Sequence, residues 1–142
     1  MRYPDWERRL DAYIYECRSR TFEIGVFDCS TFALGALERI AGIDLMSKYG
    51  GYRSLNGGYR AMRKLTGKKT FEDFCDFAFS ELLPVKMGYS QRGDIVLLYR
   101  GDEAKPNDRY ALGVVGLDGR PLSVADVGLQ RVAHDRVRKG WR

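Results

Sequence analysis

Histidine is all but missing from this chain: His134 is the only one in 142 residues. Cysteine is scarce as well. Cys17, Cys29 and Cys75 make an odd count, and no two are spaced Cys-x-x-Cys. So few imidazole and thiolate ligands argue against a zinc or iron–sulfur site built by this chain alone, and the odd count argues against a disulfide framework. No cofactor and no metal are expected. Three free thiols fit a reducing compartment. Long apolar runs are lacking too, and none approaches the ~20 residues that a membrane span needs. The opening MRYPDWERRLDAYIYE holds four acidic side chains and no apolar stretch of the kind a signal peptide carries. The expectation is a chain that stays in the cytoplasm where it is made unless an assembly carries it out. Linkers, repeats and low-complexity tracts are also absent, which leaves one domain over residues 1–142.

What is present is a globular composition. Hydrophobic residues make up 44% and aromatics 13%, enough to bury a core without staples. The net charge of +5 permits nucleic acid, an anionic cell wall or an acidic protein as partner, and selects none of them. The basic residues are dispersed, with small groups at Arg60, Arg63 and Lys64, at Lys68 and Lys69, and at Arg136, Arg138, Lys139 and Arg142. That scatter reads as solvated faces or protein contacts rather than a surface for nucleic acid.

The periodicity divides the chain in two. Residues 4–83 read as helical. Trp6, Leu10, Tyr13, Ile14 and Cys17 recur at spacings of three and four, which predicts a helix over 5–18 with Pro4 at its start. A second helix follows Asp28-Cys29 to about Ile40, stopped by Gly42. A third spans about 55–65 behind Ser54, although Gly57 and Gly58 weaken it. A fourth begins at Thr70, with Asp73 three residues on and Phe71, Phe74, Cys75, Ala78 and Phe79 on one face. Cys17 and Cys75 thereby read as core. Residues 93–142 read as strands: 94–100, 110–116, 122–125 and 129–133, with a last short strand that buries Trp141. Asp118-Gly119 marks a hairpin turn. The class is α+β, with N-terminal helices packed on a C-terminal antiparallel sheet.

One position could carry chemistry. Cys29 opens the second helix, where unpaired backbone N–H groups and the positive end of the helix dipole stabilise a thiolate. Asp28 can cap the same helix, with a charge that opposes the thiolate. Equally, a cysteine packs well where a helix meets a sheet. The glycine-rich stretches Gly50-Gly51-Tyr52 and Asn56-Gly57-Gly58-Tyr59 lack the strand–loop–lysine order of a phosphate loop and read as turns or a contact loop. The nine tyrosines and Trp141 suit an interface.

The order of five segments carries a resemblance. Phe22-x-x-Gly25-x-x-Asp28-Cys29 is followed by Gly42-Ile43-Asp44, then Arg92-Gly93-Asp94-Ile95-Val96-Leu97, then Ala111-Leu112-Gly113-Val114-Val115, and finally Gly140-Trp141-Arg142. This arrangement resembles the NlpC-type cell-wall cysteine peptidases, and more narrowly a family of small phage and prophage tail-associated proteins of uncharacterised function. The resemblance implies a papain-like fold with Cys29 at the nucleophile position. It also implies that two partners are replaced. Phe22 stands where a tyrosine assists the oxyanion, and Ala111 where the general-base histidine opens its strand. Ser123 or Asp126 falls in the region of the group that orients the histidine, and His134 is the remaining candidate base. Cysteine proteolysis needs a base to hold the thiolate and an acid to protonate the leaving amine, a contribution of roughly 10²–10⁴-fold that alanine cannot supply. The expected function is a structural protein of a phage tail tip or baseplate with a degenerate peptidase-like fold. It would bind other tail-tip or hub proteins, with the peptidoglycan wall as a further candidate partner, and would move from host cytoplasm to virion tail. The alternative is an active peptidoglycan hydrolase that uses Cys29 with His134 or a partner-supplied base. Nucleic-acid binding ranks below both.

Overall fold

A computed structural model of the chain describes residues 1–105 and 108–142; Pro106 and Asn107, in the polar loop expected between two strands, lie outside the described residues. Five helices precede the sheet: α1 (Trp6–Cys17), α2 (Cys29–Ala41), α3 (Met46–Tyr49), α4 (Leu55–Thr66) and α5 (Phe71–Ala78). Six strands follow: β1 (Pro84–Lys86), β2 (Ile95–Tyr99), β3 (Tyr110–Val115), β4 (Pro121–Ala125), β5 (Gly128–Arg131) and β6 (Val137–Trp141). They form one antiparallel sheet in the order β1-β6-β2-β3-β4-β5. The class is therefore α+β, helices first. The short helix α3 and the strand β1 are additions to what the sequence pattern predicts.

Each helix boundary has a local cause. Asp28 accepts from the Thr31 backbone N–H at 2.8 Å, and the Thr31 hydroxyl accepts from the Asp28 N–H at 2.8 Å, so α2 starts with a reciprocal cap. It ends at Gly42, which takes the left-handed conformation at φ +69°. Ser54 and Thr70 cap α4 and α5 through their hydroxyls. Gly57 and Gly58 lie near the start of α4, and it is the Gly57 N–H that the Ser54 hydroxyl caps.

Helix α2 is the central helix. Phe32, Ala33 and Ala36 are wholly buried on it. Its small residues let α1 come close: a Cβ at Gly35 would sit 2.3 Å from the Tyr13 hydroxyl. That hydroxyl donates to the Phe32 carbonyl at 2.9 Å, and the two rings stack at 5.6 Å. Burying each large apolar side chain here contributes about 1.5–3 kcal/mol relative to leaving it in water.

The sheet is covered on both faces along β2, which explains its unbroken apolar run. Ile95 and Leu97 join the main core with α1 and α2, whereas Val96 and Leu98 join a second cluster with Val115 and Val137. Strand β3 alternates in the same way. Leu112 and Val114 face the helices. Cys17 and Cys75 are both buried in the main core, as their spacing predicts.

The two ends of the chain meet at one carboxylate. Asp94 is completely buried and accepts from Arg2 at 3.0 Å, from the Gln91 backbone N–H at 2.7 Å, and from Arg142 at 2.9 and 2.8 Å. The Arg2 guanidinium also lies 4.6 Å from the Trp6 ring centroid.

Candidate functional site

Residues 23–28 form a tight loop ahead of α2, closed by a bridge between Glu23 and Phe27. Gly25 sits in it at φ +81°, and a Cβ there would fall 1.9 Å from the Tyr52 carbonyl oxygen. Only glycine fits, on conformation and on space. The Gly25 N–H donates to Asp28 at 2.8 Å, and the Tyr52 hydroxyl donates to the same carboxylate oxygen at 2.6 Å. With the Thr31 N–H on the other oxygen, the Asp28 carboxylate is fully engaged in holding the loop, the start of α2 and Tyr52 together. It is a structural anchor, and what it contributes to the neighbouring thiol is its charge.

Cys29 is the first residue of α2 and is half-buried. It lines a cavity of about 430 Å³ between α2, α4, α5 and the sheet. The cavity's inner walls are apolar and include Leu34, Met62, Phe74 and Phe79; its polar rim carries Tyr52, Tyr59, Asp126 and the Arg100–Asp108 ion pair at 2.8 Å. Burial pushes the Cys29 thiol above its ordinary range, and the Asp28 charge adds to this. The Leu112 backbone amide, the Ser30 hydroxyl 3.9 Å away and the Arg100 charge pull the other way without reversing it. The protonated thiol is thus the form the site favours at neutral pH.

The residues singled out from sequence are only partly brought together. Asp28, Cys29, Asp126 and Phe22 all line the cavity. Ser123 is buried beside it, and its hydroxyl donates to the Leu112 carbonyl at 2.7 Å, so it supports β3. His134 lies in a short 3₁₀ turn, exposed, with its imidazole Nε2 on the Gly119 carbonyl of the β3–β4 turn. It is not part of the cavity wall. Ala111 is not part of it either, although it belongs to β3. Ala111 pairs with Leu98, which packs in the second cluster, and it is Tyr110 and Leu112 that face Cys29's cavity. A histidine at 111 would point to the far face of the sheet. Among the described residues no group of three or more His, Cys, Asp or Glu side chains could hold a metal ion.

A family model described as a domain of unknown function, DUF6950, matches residues 1–142. The chain belongs to the DUF6950 family. No curated protein matches it. The site of this DUF6950 chain is drawn from several separate segments of the sequence. Its least foreseen members are Tyr52, Tyr59, Arg100, Asp108 and Tyr110. Tyr52 and Tyr59 come from the glycine-rich stretches that read as turns. Arg100, Asp108 and Tyr110 flank the loop between β2 and β3. No spacing rule connects them to Cys29; the fold does. Among the described residues, no helix of the DUF6950 chain is long and apolar enough to cross a membrane.

Proposed function

We propose that this DUF6950 chain works by binding rather than catalysis, as a structural component of a phage tail tip with a degenerate cysteine-peptidase-like site. The observation that carries the non-catalytic reading is the state of Cys29. Its thiol is pushed up by burial, the adjacent carboxylate is committed to three donors, and the lone histidine bonds a turn carbonyl outside the cavity. Among the described residues, the side-chain group within hydrogen-bond reach of the Cys29 sulfur is the Ser30 hydroxyl, which is no base for a thiol. Placement in a tail rests on the order of the Asp-Cys, Gly-Ile-Asp, Arg-Gly-Asp, Ala-Leu-Gly and Gly-Trp-Arg segments.

A second reading keeps a foothold. The Leu112 amide, Ser30 and Arg100 each favour the thiolate, and Cys29 opens a helix of 13 residues. A base donated by a partner chain would then complete a peptidoglycan-cleaving site. The rate of Cys29 alkylation against pH separates the two, with Cys29→Ala to subtract Cys17 and Cys75. The binding reading expects slow alkylation that still climbs through pH 9, since the ordinary thiol value of 9.0 is raised. A plateau already reached near neutral pH would overturn it, and digestion of muropeptides would follow.

A further inference from the structure

A second cavity, of about 490 Å³, lies on the far side of Tyr59, Phe71 and Tyr110 from the Cys29 cavity, which shares those three residues as walls. Its character is opposite. Lys69, Arg109 and Arg138 line it, against the single carboxylate of Glu72. Among the described residues, none of these three cations is held in an ion pair. Three cations against one carboxylate leave the concavity with an excess of positive charge, and the arrangement is stabilised when an anion enters.

Two details show that the two arginines are placed rather than merely loose. The Arg138 guanidinium lies 4.8 Å from the Tyr99 ring centroid and donates to the Asp135 carbonyl at 2.7 Å, which fixes its plane. The Arg109 Nε–H is buried and finds no acceptor among the described residues. A buried donor without a partner is costly, and such a group calls for an explanation. The side chain that carries it lines the cavity, so its guanidinium is packed into the wall. Tyr99 and Tyr110 stand 5.7 Å apart as a tilted aromatic pair along the same wall.

We infer that this cavity binds a phosphate monoester, with the phosphoryl group held by Arg109, Arg138 and Lys69 and the organic body laid against Tyr99 and Tyr110. Three cations against one carboxylate match a dianion better than a single carboxylate, and guanidinium groups bind phosphoryl oxygens in pairs. The volume falls within the ~300–1,000 Å³ of organic-ligand sites and far exceeds what inorganic phosphate fills.

The test is calorimetric titration of the full chain with phenyl phosphate, dodecyl phosphate and inorganic phosphate. Either ester is expected to bind saturably, and inorganic phosphate about tenfold or more weakly for want of a body to stack. The tighter of the two esters tells whether the natural source is a small aromatic phosphate or a lipid-like headgroup. Arg138→Gln and Arg109→Met should each weaken binding about tenfold or more, the loss expected for a charge-assisted hydrogen bond. Arg120→Gln, on the β3–β4 turn, should leave binding unchanged. Arg109→Met should also raise the Tm of the ligand-free protein, because it removes the unpartnered donor. No saturable binding of either ester at millimolar concentration would overturn the inference. So would equal losses in Arg120→Gln, or binding confined to a single-stranded oligonucleotide.

Discussion

Asp94→Asn tests whether one buried carboxylate holds the two ends of the chain. The substitution keeps the shape and removes the charge. In the native protein Asp94 accepts three bonds from the Arg2 and Arg142 guanidiniums and one from the Gln91 N–H. Charge-assisted bonds contribute about 1.5–3 kcal/mol each, but they do not add, and breaking a buried pair costs about 3–5 kcal/mol in total. That figure must be reduced here. The Arg2 and Arg142 side chains are 20% and 36% exposed, so both can regain water once released. A net loss of about 2–4 kcal/mol follows, which lowers Tm by roughly 10 °C for a chain of this size. Urea melts followed by circular dichroism would measure it, with unchanged m-values as the check on two-state behaviour. Pairing Asp94→Asn with Arg142→Met in a double-mutant cycle isolates the shared term, expected at about 1 kcal/mol or more. A loss below about 1 kcal/mol, or a cycle that adds without coupling, would refute the clamp.

Other substitutions probe the loop and the titrating groups. Gly25→Ala forces a Cβ onto the Tyr52 carbonyl at a positive φ and should destabilise by about 2 kcal/mol or more, visible in the same urea melts. Tyr52→Phe removes the donor to Asp28 and should cost about 1–2 kcal/mol, and a neutral outcome would remove Tyr52 from the anchor. The Arg9 and Arg8 guanidiniums hold the Asp5 carboxyl down at about 2. Its folded value is below its unfolded one, so its stabilisation is present above the unfolded range and is lost as pH falls toward 2. Carboxyl chemical shifts would report the midpoint. Burial, with the Asp108 charge adding, pushes the Tyr59 phenol up to about 12. The unfolded chain loses that proton near 10, so stability should decline as pH rises from 10 to 12, read by ultraviolet titration against the Tyr59→Phe variant.

Most of the helices and strands can be read locally. Asp28, Ser54 and Thr70 announce helix starts by their side-chain oxygens, and Gly42 announces a stop, because capping is decided within four residues. Trp141 is read correctly as buried in a terminal strand. What escapes is whatever depends on distant partners. Strand β1 has no period over three residues and exists because β6 pairs with it. Helix α3 is one turn long and too short to show a period, although Asp44 accepts from the Ser47 N–H at its start. The site shows the same division. Cys29 at a helix start is visible from its neighbours, but the direction of its pKa shift comes from burial against residues scattered from Phe22 to Asp126. The facing of Ala111 turns on a single residue of register, since β3 side chains alternate and a shift by one exchanges the two faces.

Strand β6 sits between β1 and β2, and among the described residues β1 pairs with no other strand. During synthesis, then, β2 to β5 can assemble as a meander as soon as they emerge, while β1 and one edge of β2 wait. The edge of β2 stays open, with bare N–H and C=O groups, until the residues around Trp141 arrive to close it. Any stall or premature stop in that last stretch leaves a nearly finished sheet with an adhesive border, prone to join a second nascent copy before its own strand can take the place.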